Sequence, residues 1–293
     1  MRFRPWQATL IALGLCSVTL VATNAYRARK QAGYEWLFQR LPTDHALIAG
    51  IDVAELRRAG LLDLLAGPRI NEEVDYRSFV DRIGFDYRTD LDYVAMSIGT
   101  TDGARHFVLK GRFDWDTLFA AAQKSGGKCL NAFCDLPGNA AGRNLSFLPL
   151  GRSTLGVSVS TGNQAAWILS RENTDLPVSN VPAYPLFLSM DAGLLSSATG
   201  LPQPFQPLLQ TLSAAEGVVL GLTAADGNLQ FVLDANCLSE ANAQQLRTTL
   251  HHTVESPETM AGLLSEGTLK VEGRMLHGRW PVERSVLEGL ISQ

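Results

Sequence analysis

Two stretches of this chain repeat each other, and that repetition limits what the chain can fold into more than any other feature. Asp102-Gly103, followed by Phe107-Val108-Leu109, returns as Asp226-Gly227 followed by Phe231-Val232-Leu233, an offset of 124 residues. Upstream, Val94, Met96 and Ile98 match Val218, Leu220 and Leu222 at that same offset of 124. Further on, Gly151-Arg152-x-x-x-Gly156 returns as Gly273-Arg274-x-x-x-Gly278, at an offset of 122. Both halves open on an apolar run ending in aspartate, Ala46–Asp52 and Pro185–Asp191, offset by 139. Landmarks kept in one order at near-constant spacing are the mark of an internal duplication. The excess of 15 residues at the first landmark places an insertion in copy one, within Asn71–Asp90.

The landmarks also predict local structure. Asp-Gly between alternating apolar runs predicts a tight hairpin with a type I′ turn, which needs positive φ at both central residues. Ala54–Ala66 reads as an amphipathic helix, with Leu56, Leu61, Leu64 and Leu65 on one face and Gly67-Pro68 ending it. A second helix is expected over Trp115–Lys124, capped by Asp114 or Asp116, and a third over Glu240–Glu255, entered through Ser239. Strands are expected at 146–150, 154–160, 268–275 and 277–282, with short closing helices at 164–171 and 284–291. Each copy then reads β-α-ββ-α-ββ-α. The predicted class is α+β, two tandem repeats of mainly antiparallel sheet with helices packed on one face.

Before the repeats comes a greasy segment. Trp6–Tyr26 carries no charge in 21 residues, long enough to cross a hydrocarbon core of about 30 Å. Leu10, Ile11, Leu13, Leu15, Leu20 and Val21 make it apolar, and Trp6 and Tyr26 suit aromatic anchors at the two interfaces. The same segment, cut after Ala25, would serve as a cleaved signal peptide. The expected division is a basic tail at 1–5, a transmembrane helix at 6–26 and a juxtamembrane linker or helix at 27–40. Repeat 1 follows at 41–176 and repeat 2 at 177–293, with the proline-rich Pro177–Pro185 at their boundary.

Charge narrows the choice of partner. Residues 1–40 carry a net +5 and the remaining 253 a net −9, so the body has no basic face on which to displace phosphate counterions. Nucleic acid is not an expected partner. Membrane lipid is, through the N-terminal helix, and so is a protein partner or a membrane complex. A short N-terminal tail before a large body points to a single-pass inner-membrane protein with its body in the periplasm.

No motif calls for a cofactor, a metal or a catalytic residue. His251-His252 are adjacent on a helix and point about 100° apart. His45, His106 and His277 have no motif around them, and His277 falls in an expected Gly273–Gly278 turn. The acidic run Glu72, Glu73, Asp75, Asp81, Asp86, Asp90 and Asp92 is interleaved with Arg69, Arg77, Arg82 and Arg88, the pattern of a solvated helix face. Arg152 and Arg274 are expected in equivalent turns. Cys129 and Cys134 form a disulfide if Leu130–Phe133 turns back; if the run is one strand, their sulfurs lie on opposite faces.

Residues Leu41–Asp52 (LPTDHALIAGID), the Leu/Arg helix that follows, Gly84-Phe85-Asp86 and Asp90-Leu91-Asp92 resemble uncharacterised bacterial envelope proteins. That resemblance implies an N-terminal anchor, export and a duplicated α+β body. It carries no functional residue onto this chain. Three functions fit: a non-catalytic, membrane-anchored binding or assembly protein, in one specific form an accessory subunit of a larger membrane complex; an exported hydrolase-like enzyme with its site in the cleft between repeats; and a soluble ligand-binding protein released by signal cleavage.

Overall fold

Period-two alternation of apolar residues builds strands, and in this chain the strands join into one sheet. The computed structural model describes residues 33–66, 84–138, 142–172, 181–197, 210–225, 228–255 and 267–282. Its strands are β1 (Ala46–Asp52), β2 (Leu91–Gly99), β3 (Arg105–Gly111), β4 (Lys128–Leu130), β5 (Phe133–Pro137), β6 (Asn144–Gly151) and β7 (Thr154–Ser160). After them come β8 (Leu186–Asp191), β9 (Gly217–Ala225), β10 (Asn228–Asn236), β11 (Thr268–Glu272) and β12 (Met275–Val282). The order across the sheet is β11-β12-β10-β9-β8-β1-β2-β3-β7-β6-β5-β4, and every neighbouring pair is antiparallel. The fold is α+β with mainly antiparallel sheet.

The order reads alike outward from the central β1–β8 pair: β1-β2-β3-β7-β6 one way, β8-β9-β10-β12-β11 the other. Ala49 pairs with Leu188 at the centre. Beside it, Ala49 pairs with Met96 while Leu188 pairs with Leu220, the same register on both sides. Asp52 ends β1 and accepts from the Glu55 amide; Asp191 ends β8 and accepts from the Leu194 amide. Each carboxylate satisfies a free amide of the helix it starts.

The later landmarks do not coincide residue for residue. Asp102-Gly103 are the last two residues of a four-residue loop, because Gly99 bonds Ala104 across it. Gly103 has φ of 62° but Asp102 does not have positive φ, so the turn there is not type I′. In the other half Ala225 pairs directly with Asn228, leaving only residues 226 and 227 between. Phe107 therefore faces Met96, whereas Phe231 faces Leu222 rather than Leu220. Likewise Arg152 is the first residue of its two-residue loop and Arg274 the second of its own. Gly156 and Gly278 consequently lie on opposite faces of the sheet, paired with Val108 and Leu233.

Helices α2 (Val53–Arg58), α3 (Leu62–Ala66), α5 (Trp115–Lys124), α6 (Ala192–Ser197) and α7 (Glu240–Glu255) pack on the back face, the side of Val94, Leu109, Leu155 and Leu233. The expected single helix over 54–66 is split in two. Gly60, at φ of 67°, ends α2 as a C-terminal glycine, with Gly60 N bonded to Arg57 O and Leu61 N to Leu56 O. Gly126 ends α5 in the same way. Asp114 is the residue that caps α5, and Ser239 caps α7.

The front face is not bare, contrary to the expectation of helices on one side only. Within the expected juxtamembrane linker or helix lies α1 (Glu35–Phe38), whose Trp36, Leu37 and Phe38 join Leu41, Tyr93, Ala95, Val108 and Phe187 in one core. A 3-10 helix, Ala165–Ser170, covers the sheet farther along through Ala166 and Leu169. The one-turn α4 (Tyr87–Asp90) leads into β2. Among the described residues no helix is long and apolar enough to cross a membrane. The expected span, Trp6–Tyr26, lies outside them, as do the closing helix at 284–291 and the acidic residues from Glu72 to Asp81.

Cys129 and Cys134 are bonded, across a hairpin whose turn residues Asn131 and Ala132 both have positive φ (49° and 64°). Closing so short a loop is worth about 2 kcal/mol on chain-entropy grounds. A Cys129→Ser, Cys134→Ser variant should lower the urea-unfolding free energy by about that amount. Its amide-exchange protection should fall first in β4 and β5, the sheet edge.

Candidate ligand cavity at the central strand pair

The end of β1, the start of α2 and the segment leading into β8 leave a space between them. A cavity of about 380 Å³ lies there, lined by Tyr34, Asp52, Glu55, Tyr93, Tyr184 and Thr223 among others. Residues from both sides of the β1–β8 pair contribute: Asp52 and Tyr93 from one, Thr223 of β9 from the other, and Val181–Pro185 bridging them. This volume falls in the range of small-molecule sites. Asp52 and Tyr93 sit directly opposite each other on β1 and β2, which brings their side chains together on the front face.

Asp52 is half-buried and desolvation raises its carboxyl above the usual range, opposed by the Glu55 amide bond it accepts. Only Oδ1 is used for that cap; no described residue donates to Oδ2. Arg58, the nearest basic group acting on it, is ion-paired with Glu55. Tyr93 is 4% exposed and its phenol is pushed up by burial, and further by Asp52, Tyr34 and Glu35. Its ring stacks on Tyr34 at 4.1 Å, while its hydroxyl has no hydrogen-bond partner among the described residues. Lys110 covers Tyr34, its ammonium 5.4 Å from the ring centroid. Among the described residues, Glu35, Asp52 and Glu55 give the lining three carboxylates, with no lysine or arginine beside them.

A second polar group adjoins the cavity through Tyr184. Its hydroxyl donates to Asp234 Oδ2 at 2.5 Å, and Asp234 Oδ1 lies 2.7 Å from His277 Nδ1. Arg279 reaches the same hydroxyl at 3.4 Å and lies over the Tyr184 ring. His277 is thus in β12, paired with Asp234 of β10, and not in a turn. The turn is confined to Gly273-Arg274, so the glycine spacing overstated its length. No sequence pattern marked Asp52, Tyr93, Asp234 and His277 as neighbours, because strand pairing alone brings them together.

The remaining sequence candidates lie apart from this cavity. His106 is buried on the front face with Nδ1 2.8 Å from Ser158 Oγ. His251 and His252 are exposed, their rings 6.4 Å apart, and His45 is exposed beside Asp44. Among the described residues no three His, Cys, Asp or Glu are grouped to hold a metal ion. Arg152 and Arg274 act through their carbonyls, which accept from Trp115 Nε1 and the Cys237 amide. Of the mixed-charge run, Arg88 pairs with Asp63 and Asp90 with Arg112.

Burial holds His106 below the usual imidazole range, against a smaller upward pull from Asp102. The unfolded chain then binds the proton more readily than the folded one, so this contribution to stability is complete above a pH of about 6.5. It is lost as pH falls below that value. Urea midpoints taken on either side should show a slope with pH that His106→Gln flattens.

No family model matches the chain, and no curated protein matches it. Among solved structures, crystal form III of TP0453 is similar with a TM-score of 0.54 and 12% identity, over 87% of this chain and 96% of that one. Crystal form I of TP0453 gives a TM-score of 0.50 at 12% identity, over 88% and 96%. At such identity the likeness is one of fold: this chain shares the α+β architecture of TP0453.

Proposed function

We propose that this chain is a non-catalytic binding protein, anchored in the bacterial inner membrane by Trp6–Tyr26, with its body in the periplasm. In this reading the body is two copies of one α+β unit, and the ligand sits where they meet. The observation that carries it is the cavity at the β1–β8 pair, lined from both sides of that pair. The matching strand order and the matching Asp52 and Asp191 caps support the duplication. The disulfide supports an oxidising compartment. Assembly into a larger membrane complex through the span is compatible with this role.

Two experiments test the reading. Carbonate-resistant membrane association with an intact N-terminus is expected; a soluble form beginning after Ala25 would replace the anchored protein with the released ligand-binding one. For the cleft, full-length protein purified in mild detergent should retain a small molecule that denaturation releases for mass spectrometry. Thr223→Trp, which fills the cavity from β9, should abolish that retention. Equal retention by the variant would move the ligand elsewhere.

An exported hydrolase is the second reading, favoured by one feature: His277 is held by Asp234 through Nδ1, and no described side chain hydrogen-bonds its Nε2. Such a dyad needs a nucleophile within about 3 Å. Turnover of an ester or peptide panel that disappears in His277→Ala would make this the better reading.

A further inference from the structure

We propose that the cavity at the β1–β8 pair takes a small organic cation, its ammonium group held between the Asp52 carboxylate and the Tyr93 hydroxyl. This rests on the binding role proposed above and names the ligand class of the same cleft. Three observations converge on it.

First, the lining is acidic among the described residues and has no basic residue among them. Glu35, Asp52 and Glu55 line the space, and Asp92 acts on Asp52 from the neighbouring strand. The basic groups nearby are already engaged, Arg58 by Glu55 and Lys110 against the Tyr34 ring. An anionic ligand would enter against this field; a cation would be drawn in.

Second, two polar atoms at the cavity wall have no hydrogen-bond partner among the described residues. The Tyr93 hydroxyl belongs to a side chain almost wholly buried, at 4% exposure, yet it bonds no described residue. Asp52 uses one oxygen on the α2 amide, and no described residue donates to the other. A half-buried carboxylate is costly unless a cation is close by, and Arg58, the cation that acts on Asp52, is already held by Glu55. An ammonium N–H donates to both oxygens and supplies the missing charge.

Third, the geometry suits an organic cation rather than a bare metal ion. No three metal-ligating groups are clustered among the described residues, while the tyrosine walls offer apolar surface to a carbon frame. Cations already settle against these rings from outside, Lys110 on Tyr34 and Arg279 on Tyr184.

The test uses full-length protein in detergent and four single-ring aromatic probes: benzylamine, benzyltrimethylammonium, benzyl alcohol and benzoate. Calorimetric titration should show both cations binding about 10-fold or more tighter than the alcohol, with benzoate weakest. Asp52→Asn keeps the helix cap but removes the charge, and should bring the cations level with the alcohol. Tyr93→Phe keeps the stack on Tyr34 and should weaken benzylamine about 3- to 10-fold. Benzyltrimethylammonium, having no N–H to donate, should be almost unaffected. Equal binding of alcohol and cations, tighter binding of benzoate, or cation affinity unchanged in Asp52→Asn would each overturn the inference while leaving a ligand cleft in place. No saturable binding of any probe up to about 10 mM overturns it as well, and the Thr223→Trp retention experiment then decides the cleft separately. A lysine-containing tripeptide binding tighter than any free amine would overturn the small-ligand assignment.

Discussion

Truncating Phe187 to alanine is expected to lower the unfolding free energy by about 3–5 kcal/mol, the usual cost of removing a buried phenylalanine. Phe187 is 2% exposed and lies on β8, facing Gly50 of β1. Phe38 of α1 packs on it at 5.5 Å between ring centroids. The pairing of β1 with β8 covers Ile48–Ile51 and Leu186–Ser189, and core side chains from both sides of the sheet meet across it. Phe187 joins three of the parts involved: β8, β1 and the helix that covers them both. Urea unfolding should show the loss as a single shifted transition if the sheet is one cooperative unit. Two separated transitions would mean that the halves unfold independently once this ring is gone. A loss below about 1 kcal/mol would mean that α1 collapses into the space, against the packing described here.

Local rules account for much of what the sequence foretold. The helix at Trp115–Lys124 begins after Asp114 and ends at Lys124, as read from its capping residue. The helix at Glu240–Glu255 begins after Ser239 in the same way. Period-two alternation located the strands on both sides of each Asp-Gly. These features depend on neighbours within a few residues, so the chain states them directly. Gly60 carries the same kind of local signal, since a glycine inside an otherwise helical pattern can end it, and the backbone uses it to stop α2.

What sequence did not give is non-local or depends on loop length. Asp-Gly fits a two-residue turn, but it also fits the end of a four-residue loop, and the two hairpins differ in this respect. A two-residue difference preserves which face each side chain takes, since the strand period is two. At the Asp-Gly hairpins the facing of the side chains therefore agrees on the two sides, whereas the one-residue slip at the Gly-Arg loops turns Gly156 and Gly278 to opposite faces. The cavity was hidden for a different reason. Asp52 was visible as the end of an apolar strand and Tyr93 as part of an alternating one, but their contact exists only through the β1–β2 register. A tyrosine on the buried phase of an alternating strand was the available hint. The Asp234–His277 bond is equally a product of strand pairing.

Adding one methyl group at Gly50 should test this core and the cavity together. A Cβ built there would overlap the Phe187 ring and come 2.7 Å from the Tyr93 hydroxyl oxygen. Overpacking of this kind costs about 1–3 kcal/mol, so Gly50→Ala should destabilise by that much although alanine suits strands no worse than glycine does. The cost should shrink in a Phe187→Leu background, where the smaller side chain yields space. A coupling of about 0.5–3 kcal/mol in the double-mutant cycle is the expected size for residues in direct contact. Because the same methyl pushes on the Tyr93 oxygen, Gly50→Ala should also weaken benzylamine binding more than benzyltrimethylammonium binding, in the same direction as Tyr93→Phe. Additive stabilities together with unchanged probe affinities would show that the strand pair opens enough to admit the methyl. The tight seating of Tyr93 against β1, on which both the packing and the cation site depend, would then be lost.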